Sequence, residues 1–513
     1  MDMNIVSGML YSTALIPVAL FVAFALLLLK TFAGKSLLCS KYPPIHGTVF
    51  GQLIYFNRLY DYMTKLVRRS PTFRLLEPDQ NVIYTVDLRN IEHILKTNFD
   101  NYTKGKYNID IMKDLLGEGI FMVDGEKWKK QRKVASFEFA TRVLRDFSCC
   151  VFRKDAAKLV KVLEELSAAS KGFDMQDILM SCTLDSIFKV GFGVELNCLD
   201  GSSKEGRAFM KAFDEANALI YWRFVDPSWK LKRLLNISSE ARLRNNITLM
   251  DNFVHQLIRT KRNQLPGQRE HNDKEDILSR FLLESEKDPE NMNDKYLKDI
   301  ILNFMIAGKD TTANTLSWFL YMLCKHPLVQ QKIADEIKEV MGDQASEANP
   351  DCFVERITDH VLDRMHYLHA TLTETLRLYP AVPTDGRCAE KDDILPDGFH
   401  VKKGDCVYYL AYSMGRMQNI WGEDAEDFKP ERWLNDGIFQ NESPFKFVAF
   451  NAGPRICLGK DFAYRQMKIV SIALLHFFRF GLVDETRPVT YKVMLTLHIN
   501  NGLHLRVVPR LAS

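Results

Sequence analysis

The sequence predicts a mainly α-helical protein with small β-sheets, built as one large domain behind an apolar N-terminal segment. Helical patterns run through most of Ile91–Ile258 and again from Asn293 to Tyr379. Short runs rich in β-branched and aromatic residues, Val82–Val86 and Cys406–Tyr409 among them, predict the strands. Because no tandem repeat and no low-complexity linker divides the chain, one large domain is the simplest organisation.

The composition is that of an ordinary globular protein, and it excludes several classes. The chain has 513 residues, of which 46% are hydrophobic and 26% charged, so it can form an ample core. A net charge of +3 is too small to indicate a nucleic-acid partner. The 10 cysteines are scattered without a Cys-x-x-Cys pair. We therefore expect neither a zinc site nor a disulfide framework, and we expect reducing, cytosolic surroundings.

The N-terminal segment Met9–Leu29 carries no charge, and its 21 residues match the ~20 that cross a bilayer as a helix. Lysines follow it at three positions before residue 42, and the positive-inside rule then places the rest of the chain in the cytosol. A cleaved signal peptide is the alternative, but a basic start and a small-residue cleavage site are both missing. The predicted division is a membrane anchor (1–30), a basic, Pro-rich hinge (31–47) and a folded domain (48–513).

Glycine and proline mark the breaks within the helical regions. They interrupt the pattern at 117–119, at 191–193 and at Pro227, and the polar stretch from Gln264 to Asp276 predicts an exposed loop. The glycines at 191–193 lack the third glycine and the βαβ setting of a dinucleotide site. The chain therefore shows no dinucleotide-binding site of its own.

The loop Phe450–Gly459 holds one cysteine, Cys457, directly before an apolar, helix-like segment. Unpaired N–H groups and the positive end of a helix dipole favour thiolate over thiol at such a position. Thiolate is also the form that binds metals. A buried loop cysteine without any ligand role is the alternative that these residues leave open.

The frame of this loop, Phe-x-x-Gly-x-Arg-x-Cys-x-Gly, resembles the haem-binding loop of the cytochrome P-450 monooxygenases. The resemblance implies a haem b cofactor with Cys457 as the axial ligand of the iron. It also implies that Phe450 and Gly459 contact the haem and that Arg455 donates to a haem propionate. The fold it implies is a single large domain, mainly helical with small sheets.

A second motif, Ala307–Thr312, lies within an apolar segment predicted as one helix over 295–324. Small and hydroxyl residues recur every four positions on one face of that helix. Gly308 costs about 1 kcal/mol relative to alanine in a helix, and hydroxyls that turn back onto carbonyls can open the helix. An ordinary buried helix is the alternative. The motif resembles the family's helix over the distal haem face, which implies that Thr311 binds dioxygen and Asp310 relays protons.

A third pattern joins Glu374 and Arg377, three residues apart on a predicted helix, with Arg432 downstream. Alone, such a pair is most often a solvated bridge that contributes ~0–1 kcal/mol. The resemblance instead implies a buried triad of these three residues with a structural role near the haem-binding core. Trp433 stands where the family more often has phenylalanine, and we expect no chemical effect from that change.

A basic run, Glu126–Lys133, contains Trp128 and Arg132, which share one helix face while three lysines point elsewhere. A solvated helix face is the alternative interpretation of the run. The resemblance makes Trp128 and Arg132 further donors to haem propionates. The remaining lysines suit the docking of an acidic flavoprotein, NADPH-cytochrome P-450 reductase.

Candidate pocket residues come only from the resemblance, and most are apolar, which suits a lipid-like substrate. They are Ile120, Phe121, Asn303, Phe304, Ala307, Val382, Thr384, Asp385, Leu495 and Thr496.

The broader pattern looks most like the plant fatty-acid ω-hydroxylase clan. That resemblance implies hydroxylation of a long-chain fatty acid at or near its terminal carbon, as in cutin, suberin or sporopollenin metabolism. The reaction would use O2 and NADPH electrons delivered by the separate reductase. The implied location is the endoplasmic reticulum membrane, with one N-terminal anchor and the catalytic domain facing the cytosol.

Three alternatives differ from this expectation in testable ways. Relatives that rearrange hydroperoxides without O2 or reductase depart from the Asp310-Thr311 pattern. A non-enzymatic, membrane-anchored haem sensor would need no proton relay. A terpenoid or sterol substrate on the same fold stays open, because one sequence does not show which lipid a pocket selects.

Overall fold

The computed structural model of the protein describes residues 39–510, except 79–80, 141, 169–171, 269–275 and 291, together with scattered positions between 18 and 33. Helices account for most of these residues, and short strands form several small sheets. The predicted mainly helical fold with small sheets is confirmed.

Several helices begin at a polar side chain that accepts a hydrogen bond from the first turn, which satisfies an otherwise unpaired N–H group. Asp174, Ser203 and Asn293 act in this way before helices at 175, 204 and 294. The helices are α1 (Val49–Ile54), α2 (Leu59–Val67), α3 (Leu88–Glu92), α4 (Gly105–Leu116), α5 (Gly125–Ala140), α6 (Arg142–Ala168), α7 (Met175–Phe192), α8 (Lys204–Trp222), α9 (Trp229–Leu235), α10 (Ser238–Gln268), α11 (Ile277–Lys287), α12 (Asp294–Met305), α13 (Thr311–Lys325), α14 (Pro327–Met341), α15 (Pro350–Glu355), α16 (Asp359–Arg364), α17 (His366–Leu378), α18 (Ala411–Met414), α19 (Gln418–Trp421) and α20 (Lys460–Phe477).

The strands are short, none longer than the six residues of the last one. They are β1 (Ile45–Thr48), β2 (Thr72–Leu76), β3 (Asn81–Thr85), β4 (Tyr102–Thr103), β5 (Phe173–Asp174), β6 (Asp385–Ala389), β7 (Asp393–Ile394), β8 (His400–Val401), β9 (Cys406–Tyr409), β10 (Leu434–Asn435), β11 (Ile438–Phe439), β12 (Phe478–Leu482), β13 (Tyr491–Lys492), β14 (His498–Ile499) and β15 (His504–Pro509).

One compact unit comprises residues 1–105 and 386–410, and a six-stranded sheet of order β1-β2-β3-β9-β6-β4 organises it. β2 and β3 pair antiparallel, and the rings of Phe73 and Tyr84 stack across them at 5.4 Å. Cys388 of β6 and Cys406 of β9 form a disulfide. The sequence did not indicate this pairing, because the two cysteines meet only where their strands become neighbours in the sheet.

A second compact unit comprises residues 106–385 and 411–513 and is mostly helical. α7 is buried along nearly its whole length and packs against α6 and α13. The single helix predicted over 295–324 is instead α12 and α13 joined by a π-helical segment, Ile306–Asp310. A methyl group on Gly308 would lie 2.6 Å from the Cδ1 atom of Ile187, so glycine lets α7 pack against this segment.

The predicted loop from Gln264 to Asp276 and the predicted N-terminal anchor lie partly outside the described residues. α10 continues to Gln268, into the stretch predicted as a loop from Gln264, and 269–275 lies outside the described residues. The predicted anchor, Met9–Leu29, lies largely outside them as well. Within the described part of the chain, no helix has the length and apolar character to cross a membrane.

Candidate active site

Cys457 closes a tight loop at the start of α20. Its N–H group donates to the carbonyl oxygen of Phe450 at 2.8 Å. Asn451 and Gly453 turn the chain with φ angles of 60° and 64°, in the left-handed region that glycine and asparagine tolerate best. Because α20 begins at Lys460, the cysteine lies just before a helix N-terminus, as the sequence predicts.

The surroundings of Cys457 do not favour a free thiolate. Burial raises the pKa of the thiol, and the Gly459 N–H bond and the charges of Arg132 and Lys460 lower it only in part. The Cys457 side chain nevertheless keeps solvent-accessible surface. The helix-start effect thus acts in the predicted direction, but burial outweighs it, so the thiolate needs a bound cation.

Two guanidinium groups lie over the ring of Trp128 in α5. The Cζ atom of Arg455 is 4.5 Å from the centroid of this ring, and that of Arg132 is 5.7 Å away. Arg132 also donates to the carbonyl oxygen of Ile456 at 2.7 Å, which ties α5 to the residue preceding Cys457. The structure thus brings the three predicted propionate donors together next to the predicted ligand.

Arg455 has a partner that the sequence analysis missed. Its guanidinium donates to the carboxylate of Asp124 at 2.5 Å and to the carbonyl oxygen of Val123 at 2.9 Å. The Arg455 side chain is 7% exposed, and an arginine buried to that extent requires an acceptor. The position of Asp124 directly before the basic helix α5 could have indicated this ion pair.

The distal motif opens a small accessible face in an otherwise buried helix. From Asp299 to Leu320, every residue is buried except Ala307, Gly308 and Thr311. The Thr311 hydroxyl donates to the carbonyl oxygen of Ala307 across the π-helical turn. The opening that glycine and back-bonded threonine predict is therefore present, and Thr311 lies on its accessible side.

One aromatic ring connects the distal helix with the cysteine loop. The ring of Phe139 stacks with Phe304 at 6.2 Å between centroids and meets Phe462 edge-on at 5.7 Å. Its Cε1 atom is 3.8 Å from the position of a Cβ atom built on Gly459. Phe304 lies two residues before the π-helical turn, and Phe462 and Gly459 follow Cys457 closely. Phe139 therefore packs against both the helix that precedes the π-helical turn and the helix that follows Cys457.

Asp310 belongs to a buried polar cluster. Its carboxylate accepts from Lys309 Nζ at 2.6 Å, from Asn217 Nδ2 at 2.9 Å and from Thr496 Oγ1 at 3.3 Å. Burial would raise the pKa of Asp310, but the charge and hydrogen bond of Lys309, together with the nearby His498, lower the pKa overall. The sequence motifs did not indicate that Lys309 and Asn217 belong to the site. A lysine inside an apolar helix could have indicated Lys309, because a buried lysine must be paired.

The predicted pocket residues divide into two groups. Asn303, Phe304 and Thr496 are buried, whereas the others keep some accessible surface: Ile120, Phe121, Ala307, Val382, Thr384, Asp385 and Leu495. Asn303 donates to the Leu116 carbonyl oxygen at 2.8 Å and accepts from the Phe121 N–H group at 3.2 Å. Asn303 thus supports the backbone around residue 120, and its side chain, like that of Thr496, is already bonded within the protein.

The structure brings Glu374, Arg377 and Arg432 together. Arg377 donates to both oxygens of Glu374 at 2.7 and 2.8 Å, and Arg432 lies 3.4 Å from one of them. Trp433 Nε1 donates to the same carboxylate at 2.9 Å. The expectation that tryptophan has no chemical effect here is therefore wrong, because its N–H group bonds a buried charge that phenylalanine would leave unbonded.

Two of the three lysines assigned to docking on α5 form ion pairs. Lys129 and Lys130 pair with Glu126 and Asp288 at 2.8 and 2.9 Å, while their own side chains stay 61% and 64% exposed. Lys133 is exposed as well. Exposed ion pairs of this kind are weak and can exchange partners, and the docking role of these lysines stays a prediction.

Comparison with known proteins places the chain in a family. The profile of cytochrome P-450 matches residues 42–505. The chain belongs to the cytochrome P-450 family. Cytochrome P-450 704C1 of Pinus taeda is 51% identical over 483 residues, which cover 92% of this chain and 93% of that protein. Cytochrome P-450 704B1 of Arabidopsis thaliana is 45% identical over 494 residues, covering 91% and 94%. Cytochrome P-450 86B1 of the same plant is 39% identical over 466 residues, covering 89% and 83%.

These relatives confirm the predicted resemblance to plant members of the family. As a cytochrome P-450, the protein is a monooxygenase whose family cofactor is haem. The residues present fit that group. Cys457 is an accessible thiol whose charged form requires a bound cation. Two arginines and an indole lie together beside it and can donate to two propionates.

Replacing the predicted ligand gives a direct test of this fit. We expect Cys457→Ala to lose the Soret band that marks haem–thiolate ligation in the carbon-monoxide difference spectrum of the reduced protein, because alanine offers no sulfur. Cys352→Ala, which changes an exposed cysteine in α15, should keep the band. An unchanged band in Cys457→Ala would refute the ligand assignment.

Proposed function

We propose that this cytochrome P-450 hydroxylates long-chain fatty acids at or near the terminal carbon, using O2 and NADPH electrons delivered by NADPH-cytochrome P-450 reductase. The observation that carries the proposal is the small accessible face of Ala307, Gly308 and Thr311, which Phe139 links to the loop of Cys457. A face that includes two small residues, Ala307 and Gly308, suits the narrow end of an unbranched alkyl chain. The resemblance to the plant fatty-acid ω-hydroxylase clan supports the same substrate.

In this proposal each residue of the candidate active site has a defined task. Haem, when bound, supplies an iron that activates O2 for insertion of one oxygen atom into a C–H bond. Cys457 binds that iron through sulfur, and Arg132, Trp128 and Arg455 orient the propionates. Thr311 holds a proton at Oγ1 and can exchange its bond to the Ala307 carbonyl for one across the accessible face. Asp310, which directly precedes Thr311, is the proton source on the buried side of the helix.

The substrate is tested with a panel of compounds. The protein, reconstituted with the reductase, is incubated with long-chain fatty acids, a terpenoid and a sterol, and the products are identified by mass spectrometry. We expect a fatty acid hydroxylated at or next to its terminal carbon, formed only with both NADPH and O2. Products from the terpenoid or sterol alone would contradict the fatty-acid proposal. Consumption of a lipid hydroperoxide without NADPH would favour a rearrangement instead.

A second prediction concerns Thr311. A positioned proton donor contributes ~10²–10⁴-fold to a rate, so Thr311→Ala should lower product formed per NADPH consumed by about tenfold or more. Measuring peroxide release and NADPH oxidation shows how many electrons are consumed without forming product. Thr315→Ala is the matched control, since its hydroxyl donates to the carbonyl oxygen of Thr311 at 2.7 Å and the side chain is buried. Equal coupling in Thr311→Ala and the parent protein would exclude the proton role.

We also propose that the protein is held at the endoplasmic reticulum membrane by residues 1–30, with the catalytic region toward the cytosol. The uncharged run Met9–Leu29 and the lysines after it support this orientation. Deletion of residues 1–30 should move at least part of the protein from the membrane to the soluble fraction after centrifugation. Full retention would show that another surface binds the membrane.

A further inference from the structure

The ammonium group of Lys309 is completely buried between two carboxylates from different helices. Its Nζ atom lies 2.5 Å from Asp214 Oδ1 on α8 and 2.6 Å from Asp310 Oδ1 on its own helical segment. Burial would lower the pKa of Lys309, but the charges of both carboxylates outweigh it and raise the pKa. Lys309 is therefore a fixed cation that both aspartates share.

The two aspartates differ in their access to water. The Asp214 side chain is 29% exposed, whereas those of Lys309 and Asp310 are 0% exposed. The cluster thus has one end at the protein surface and one end inside, next in sequence to Thr311. Short hydrogen bonds of a charged donor connect the two ends without a gap.

The cluster of Asp214, Lys309 and Asp310 has a net charge of −1 when both carboxylates are ionised, so it can bind one exchangeable proton. Two carboxylates face one ammonium, so the group can bind a further proton and become neutral overall. His498 Nε2 lies 3.7 Å from Asp310 Oδ2, too far for a hydrogen bond but near enough to act on its charge. Asp177 on α7 is a further acid that the charges of Asp214 and Lys309 reach.

Neighbouring residues hold the cluster in this geometry. Asn217, one turn after Asp214 on α8, donates to Asp310 at 2.9 Å and accepts from the Leu495 N–H group at 2.9 Å. Thr183 of α7 donates to the carbonyl oxygen of Lys309 at 3.1 Å. Because both sides of the π-helical turn are bonded in this way, the spacing between the two aspartates is set by the fold.

We propose that Asp214 is the solvent end of a proton path that runs through Lys309 to Asp310. The path deepens the proposed monooxygenase function and rests on it. A proton from water first binds the Asp214 carboxylate. In one concerted transfer, Lys309 gives an N–H proton to Asp310 while it takes the O–H proton of Asp214. One N–H and one O–H bond break as one of each forms, and Lys309 stays an ammonium throughout. No electron moves. Asp214 acts through other groups and is therefore a positioning residue.

The path is tested in the reconstituted holoenzyme with any substrate that the parent protein hydroxylates. Since a positioned proton donor contributes ~10²–10⁴-fold, loss of the entry group in Asp214→Asn should lower product formed per NADPH by about tenfold. The solvent deuterium isotope effect on product formation should increase at the same time. Asp214→Glu, which restores a carboxylate, should recover most of the coupling.

Glu215→Gln provides the matched control. Glu215 follows Asp214 on α8 and bonds Asn246 at 3.0 Å, outside the cluster. We expect its substitution to leave product per NADPH and the isotope effect unchanged. Every variant must first show the carbon-monoxide difference spectrum of the parent protein, which excludes misfolding as the cause.

A second readout does not depend on turnover. Without the Lys309 cation, the buried Asp310 should hold its proton at neutral pH. Infrared spectra of the purified protein should then show a carboxylic-acid band in Lys309→Met that the double variant with Asp310→Asn lacks. The parent protein should show no such band.

Three results would overturn the path: full coupling in Asp214→Asn, an equal loss in Glu215→Gln, or no carboxylic-acid band in Lys309→Met. These outcomes are distinct from a failure of the proposed substrate. If the parent protein oxidises a sterol in place of a fatty acid, the substrate proposal fails, but the path is still tested with that sterol.

Discussion

The buried ammonium of Lys309 is the constraint on which the distal side of the site depends. A charge in that position is stable only when it is paired, and removing one partner of a buried ion pair typically costs about 3–5 kcal/mol. Asp214 brings α8 to the π-helical turn, and Asp310 in turn bonds Asn217 and Thr496. Pairing one cation therefore gathers three stretches of chain around the turn whose opposite face is accessible at Ala307, Gly308 and Thr311.

Burial has the opposite consequence at Cys457, where the charges of Arg132 and Lys460 offset it only in part. The Gly459 N–H group and the nearby charges lower the thiol pKa, yet burial still raises it overall. The same surroundings that disfavour a free thiolate suit one bound to a metal ion, because the ion supplies the missing charge. Arg132 and Arg455 both contact the Trp128 ring, and Arg455 is also held by Asp124.

Sequence motifs predict some of the contacts of Glu374 and Arg377, but not all of them. Spacing on a helix predicts that Glu374 and Arg377 can meet, and the family pattern adds Arg432. Neither predicts that Trp433 donates to the same carboxylate, or that Arg377 also bonds the carbonyl oxygen of Gly415. A carboxylate with no exposure needs every acceptor site filled, and the partners that fill it are chosen by packing.

The sequence by itself determined the helical fold class, the two main helical regions, the strands near 82–86 and 406–409, and the residue types of the candidate site. Those properties depend on local periodicity, on caps and on motifs with fixed spacing, so neighbouring residues suffice to predict them. Tertiary structure alone decided that Lys309 is shared with Asp214, that Asn303 supports a loop and that Cys388 meets Cys406. These contacts join residues 18 to 187 positions apart. Their energy arises from desolvation, which exists only once the chain has folded around them.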